Sequence, residues 1–151
     1  THPDPRCIGS CVIVTEIIHS LVYEGKELSI DNILQISDKY DDRIRPFIEI
    51  ANNSTGIESL ELTGFEQGYT LKTLSAALWS LWHCMSFEDG LLQVVNAGGD
   101  ADTNAAVACA VLGAKFGFSS IPQKYVSGLI GESRIKETSE ELYRMYCQTL
   151  K

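Results

Sequence analysis

Apolar residues recur at helical spacing along most of the chain. Asp4-Pro5 reads as an N-cap followed by proline at the first helical position, where its missing N–H costs nothing. The helix it starts is expected to run to about Tyr23. Its stripe is Cys7, Cys11, Val14, Ile18 and Leu21, widened by Ile8, Val12 and Ile17, and Gly25 ends it. Ser29 or Asp31 caps a second helix through Ile33, Leu34, Ile36 and Tyr40, with Asp38, Asp41 and Asp42 making its far end acidic. Pro46 breaks or restarts the chain, Asn52 to Gly56 is loop-like in composition, and Glu58 to Gly68 offers only turn signals at Gly64 and Gly68.

Thr70 is expected to cap a core helix with a wide apolar face of Leu71, Leu74, Leu78, Leu81, Trp82 and Met85. Ser86-Phe87-Glu88-Asp89 is an imperfect capping box for a short helix through Leu91, Leu92, Val94 and Val95, which Asn96 to Gly99 closes. Beyond Gly117, Ile121-Pro122 turns the chain and Tyr125 to Ile130 forms a short helix ended by Gly131. Thr138-Ser139-Glu140-Glu141 makes a better capping box ahead of a last helix carrying Leu142, Tyr146 and Leu150. No period-two pattern marks a strand. The expectation is an all-α protein of about seven helices, one helical domain over 1–151, without internal repeats.

The chemistry gathers in Asn96-Ala97-Gly98-Gly99-Asp100-Ala101-Asp102-Thr103-Asn104, which runs into the apolar segment from Ala105 to Gly117. Adjacent glycines allow a sharp turn and a close backbone approach. The helix that follows is apolar all round and is expected to be buried. Its first turn would hold a dense cluster of oxygens.

Capping alone is one explanation of Asp100, Asp102 and Thr103, because such residues accept from free N–H groups and complement the helix dipole. A cap needs only one of them, however, and extra charge at the end of a buried helix calls for a partner such as a metal. Residues two apart on a regular helix face different sides, so the two carboxylates converge only if Asp100 lies in the loop. Hard oxygen ligands favour Mg2+, Mn2+ or Ca2+. Three are too few for a closed site, so water, ligand or another segment must supply the rest.

Composition narrows the partners. Acidic residues outnumber basic ones by 20 to 12 in 151 residues, for a formal net charge of -8 without a Lys/Arg cluster, which argues against a nucleic-acid partner. The longest charge-free runs fall well short of the roughly 20 residues of a membrane span, and no signal-peptide pattern opens the chain. Cys7, Cys11, Cys84, Cys109 and Cys147 lack CxxC spacing, which fits reduced thiols and a cytoplasmic location; Cys7 and Cys11, at i, i+4 spacing, are expected to be small core residues.

Gly98-Gly99-Asp100-Ala101-Asp102-Thr103-Asn104-Ala105-Ala106, followed by Gly113-Ala114-Lys115-Phe116-Gly117 and Ile121-Pro122, resembles the C-terminal signature of the ADP-ribosylglycohydrolases. Gly68-Tyr69-Thr70-Leu71-Lys72-Thr73-Leu74 with Ala77-Leu78-Trp79 is similar to that family's upstream helix, and Thr1-His2-Pro3-Asp4-Pro5 to its mid-chain Thr-His segment. The match runs in order from the first residue to about Gly131. The resemblance implies a compact orthogonal bundle of helices and Mg2+-dependent hydrolysis of the bond joining ADP-ribose to a protein side chain, with Mn2+ as a possible substitute. It gives Asp100, Asp102 and Thr103 metal-ligand roles, and it places His2, Tyr69, Gly98 and Gly99 against ADP-ribose.

Two departures stand out. Ala101 replaces the Thr usual between the two Asp residues, and the family's early Gly-rich and Thr-Asp-Asp motifs, which complete a pair of metals, are not found. With a first residue other than Met at a motif usually found mid-chain, the expectation is a C-terminal portion of such a protein. Its partners would be ADP-ribose or ADP-ribosylated protein and an N-terminal fragment. Alone, it would bind metal weakly and hydrolyse little. The alternative is a non-catalytic relative that binds ADP-ribose or is structural.

Overall fold

The structure is a computed structural model that describes residues 2–149, apart from the side chain of Thr149. Thr1 and Leu150, both used in reading the sequence, lie outside the described residues. Among those residues the fold is all-α: eight α-helices, short 3-10 turns, one π turn and no strand. The chain divides into two units, 1–120 and 121–151.

The first unit opens with α1 (Pro5–His19), which Asp4 caps by accepting from the Arg6 amide. A π turn over Ser20–Glu24 follows, and Gly25 at φ 63 ends it as expected. Residues Pro5–Glu24 are long and apolar enough, with mean hydropathy 1.4, to meet the length and composition of a membrane span, although no charge-free run in them does. Ile13 and Ile17 of this stretch are nonetheless fully buried among the other helices, as in a core helix.

The face that α1 buries differs from the expected stripe. Gly9, Ser10, Ile13 and Ile17 turn inward, while Cys11 is exposed and Cys7, Val14, Ile18 and Leu21 are half-buried. Gly9 is the physical reason: a Cβ there would lie 2.5 Å from Ile44 Cδ1, so its bare backbone admits the neighbouring segment.

Ser29 caps α2 (Ile30–Ser37), which stops short of Tyr40 in turns after Ser37. Pro46 lies in the first turn of α3 (Arg45–Asn53), and Asn52 and Asn53 belong to that helix rather than to the loop. The poorly readable stretch forms a 3-10 turn at Ile57–Leu60 and then irregular turns. Glu61 there takes the left-handed conformation at φ 49, with its carbonyl accepting from Lys72 Nζ.

The core is built on α4 (Thr70–His83), whose Leu71 and every residue from Thr73 to Leu81 are buried. Tyr69, rather than Thr70, occupies the N-cap, and its side chain makes no cap bond. Met85 lies beyond the helix and is 87% exposed, because the chain turns extended at Cys84. At the other end, Trp79 Nε1 donates to Ser54 O at 3.1 Å, and His83 Nε2 lies 3.0 Å from Ala51 O, which fastens α4 to the end of α3.

Ser86 caps α5 (Phe87–Asn96) by accepting from the Asp89 amide, while Asp89 Oδ2 accepts from the Met85 amide in a shifted capping box. Val94 is buried, but Leu92 and Val95 point outward. Gly90 lets α5 close on Leu112 of α6 (Ala101–Phe116). The expectation that α6 would be buried all round is only half met. Asn104, Ala105, Ala108, Val111 and Leu112 are buried, whereas Asp102, Thr103, Ala106 and Ala110 are exposed.

In the second unit, α7 is the four-residue helix Gln123–Val126, shorter than expected, and α8 spans Glu132–Thr149. Because α8 starts at Glu132, Thr138 lies inside it and caps nothing. Ser139 Oγ instead donates to Ile135 O, while Lys136–Glu132 and Arg144–Glu140 pair along the helix surface.

Candidate functional site

The glycine pair shapes the start of α6. Gly98 at φ 75 and Gly99 at φ 68 are both left-handed, and a Cβ on Gly99 would lie 2.1 Å from Leu62 O. Only glycine fits that approach, so the turn is braced against residues 62–63. It delivers Asp100 at the N-cap position with φ -79 and ψ 59, yet the Asp100 side chain makes no capping bond. That frees its carboxylate for other work.

Asp100 and Asp102 converge, as a loop position for Asp100 requires, and their side chains are within hydrogen-bond reach of each other. The Thr103 amide holds the Asp102 carboxyl below the usual carboxylate range, assisted by the Asp100 side chain and the Asp102 amide. Asp102 and Thr103 are exposed, and Asp100 is half-buried. One residue further in, Asn104 Oδ1 accepts from Thr73 Oγ1 at 2.8 Å in the buried interior, locking the first turn of α6 to α4.

A pocket of about 330 Å³ lies beside the starts of α1 and α4, lined by His2, Asp4, Arg6, Cys7, Gly68, Tyr69 and Thr70. His2 Nδ1 accepts from the Asp4 amide at 3.2 Å, which leaves Nε2 as its other hydrogen-bonding atom. The Tyr69 ring meets Phe47 edge-on at 5.6 Å. Arg6 grips Asp4, donating from Nε at 2.8 Å and also from Nη2, and it reaches Tyr69 Oη from Nη1 at 3.2 Å. The Arg6 guanidinium thereby holds the Asp4 carboxyl well below the usual carboxylate range.

Gly68 joins pocket to carboxylates. It sits at φ 82, and a Cβ there would lie 3.2 Å from Asp100 Oδ2. The structure therefore gathers His2 and Tyr69 around one pocket and sets Asp100 against its Gly68 edge, with Asp102 and Thr103 following in the first turn of α6. Gly98 and Gly99 form the turn behind them.

Arg6 is the residue that sequence reasoning missed. Its signal was a cation in the first turn of a helix, where the dipole disfavours positive charge unless a carboxylate stands beside it. A second pocket, of about 390 Å³, borders the glycine turn and is lined in part by Glu58, Glu61, Thr63 and Asn96. Of the cysteines, Cys7 lines the pocket beside Arg6. Burial pushes the Cys84 thiol up to about 11 and raises that of Cys109, and Cys11 lies exposed on α1.

As a donor set, two carboxylates and a hydroxyl suit a hard divalent cation. Paired carboxylates this close also favour a cation or a shared proton between them. Among the described residues no group of three or more His, Cys, Asp or Glu side chains is placed to hold a metal ion, so the remaining ligands would have to be water, substrate or another segment.

Comparison with known proteins gives a consistent result. The family profile described as ADP-ribosylglycohydrolase matches residues 1–150. The chain is 38% identical over 78 residues to the ADP-ribosylarginine hydrolase Tri1 of Serratia proteamaculans, a stretch that covers 52% of this chain and 21% of that protein. It is 30% identical over 155 residues to an uncharacterized protein of Archaeoglobus fulgidus, covering 100% of this chain and 50% of the relative. With the ADP-ribosyl-[dinitrogen reductase] glycohydrolase of Rhodospirillum rubrum it shares 36% identity over 66 residues, 44% of this chain and 22% of the other. No solved structure matches. The chain thus aligns with half or less of the length of each of these relatives.

Proposed function

The chain belongs to the ADP-ribosylglycohydrolase family, and from that premise we propose that it is the metal-bearing part of a hydrolase that releases ADP-ribose from modified protein side chains with Mg2+. The observation that carries this reading is that Asp100, free of capping duty, lies beside the pocket edge at Gly68 and within reach of the Asp102 side chain. Asp100, Asp102 and the Thr103 hydroxyl would hold Mg2+, which when bound would polarise ligand oxygens and a water.

The chain's own residues bind and orient. α4 begins at the pocket without a side-chain cap. Its first N–H groups and the positive end of its dipole therefore favour an anionic group of the ligand. His2 and Tyr69 line that same pocket and would contact the ADP-ribosyl group. Gly98 and Gly99, by their bare backbone, leave room for the ligand at the carboxylates. The remaining metal ligands would come from an N-terminal portion of the fold, from water or from the substrate itself, and Mn2+ would serve in place of Mg2+. A cytoplasmic setting belongs to the same reading.

A donor set of only two carboxylates and one hydroxyl favours a second reading, a relative that binds ADP-ribose without turning it over. Calorimetry with Mg2+ and then ADP-ribose separates the two when followed by an assay of ADP-ribose release from modified protein. Metal-dependent binding that weakens about tenfold or more in Asp102→Asn supports the site. Absence of any metal-dependent binding would sink it. Binding without release, with or without an N-terminal fragment, would select the second reading.

A further inference from the structure

We propose that Arg6 is a positioning residue that fixes the Tyr69 hydroxyl as a hydrogen-bond donor into the pocket, aimed at an oxygen of the ligand's diphosphate. This rests on reading the pocket as the ADP-ribose site. The alternative role for Arg6, a direct hook for phosphate, does not suit its surroundings. Its Nε and Nη2 are committed to the two oxygens of Asp4, which also accepts from the Arg6 amide at 2.9 Å. The pair is largely shielded, with the two side chains 28% and 22% exposed. A guanidinium neutralised in this way is an anchored strut rather than a free cation.

Nη1 is the arm that reaches the pocket, donating to Tyr69 Oη at 3.2 Å, while the guanidinium carbon lies 5.6 Å from the ring centroid. A guanidinium only donates, so here the phenol oxygen must accept, and its own proton has to point elsewhere. No other hydrogen bond of that hydroxyl occurs among the described residues. Phe47 holds the ring from another side by an edge contact, so ring and hydroxyl are both constrained. An acceptor from a cationic donor is also polarised into a better donor. The available proton therefore serves a ligand that presents acceptor oxygens at the start of α4, and a diphosphate is the part of ADP-ribose richest in them.

The test is a double-mutant cycle on the full chain, with Arg6→Met, Tyr69→Phe and the pair, read by calorimetric titration of ADP-ribose in Mg2+. Each single change should weaken binding about tenfold, and the pair should weaken it no further than Tyr69→Phe alone. Arg6→Lys should fail to rescue, because an ammonium cannot hold both Asp4 oxygens and reach the phenol. Losses that add, or Arg6→Met binding like the wild type, would overturn the proposal. Should the wild type bind no ADP-ribose, the reading of the site falls. The positioning role is then judged on the ligand-free chain, where Arg6→Met should shift the carbon-13 ring signal of Tyr69 among the six tyrosines. A signal that stays in place would overturn it.

Discussion

Helices α4 and α6 look alike in sequence and behave differently in the fold. Both are long, nearly uncharged and packed against each other, yet α4 buries ten of its 14 residues and α6 five of its 16. The number of neighbours does not separate them, since α1, α3, α5 and α6 pack on α4 while α1, α4 and α5 pack on α6. On α6 the buried stripe runs through Ala105, Ala108 and Leu112, while Asp102, Ala106 and Ala110 step up the outward side at four-residue intervals. Apolar composition permits burial without choosing it. In α6 the uncovered side is the one that carries the carboxylate and hydroxyl into the open.

The contrast can be broken most severely in α4. Leu78 is 1% exposed in the middle of that helix, so Leu78→Ala should cost about 3 kcal/mol in urea unfolding, through lost transfer energy and the cavity left behind. A loss below about 1 kcal/mol would mean that α4 is not the packed centre.

A pair of substitutions sharpens the two sides of α6. Ala108 is fully buried and Ala110 exposed on the same helix. Ala108→Leu should destabilise by about 2 kcal/mol through overpacking. Ala110→Leu should stay within about 0.5 kcal/mol. Equal effects would erase the distinction.

The smallest effect contrasts the open carboxylates of α6 with one already partnered. Asp41 accepts from the Arg43 guanidinium and amide, which together lower its pKa from 3.8 to about 2. Its folded value lies below its unfolded one, so its contribution is present above about pH 4 and is lost as the pH falls towards 2. Asp41→Asn should therefore lower the unfolding midpoint slightly at pH 6, and the two proteins should converge near pH 2. A gap that persists in acid would remove the ion pair as its cause.

Legibility in the sequence followed the strength of local signals. The α4 core face through Leu71, Leu74, Leu78 and Leu81 was plain from spacing, as was Gly25 at the end of the first helical stretch. The loop position of Asp100 followed from the need for two carboxylates to converge. The buried face of α1 was hidden because it is set by Gly9 against Ile44, a contact between segments distant in sequence. Glu61 in a left-handed conformation has no signature, since its carbonyl is held by Lys72 eleven residues away. The start of α8 was misplaced because Thr138-x-x-Glu141 has capping chemistry, while i, i+4 ion pairs from Glu132 already carry the helix through it.

Gly68 has a practical consequence for reading mutants. A single clearance, the space between its α-carbon and Asp100 Oδ2, serves as the gauge between the pocket and the carboxylates. A side chain introduced at 68 would push on the carboxylate and strain the turn that presents Tyr69 in one stroke. Loss of binding in such a variant would carry no information about which side failed. Substitutions at Tyr69 and Asp102, one on each side of that spacer, are the pair from which separate defects can be read.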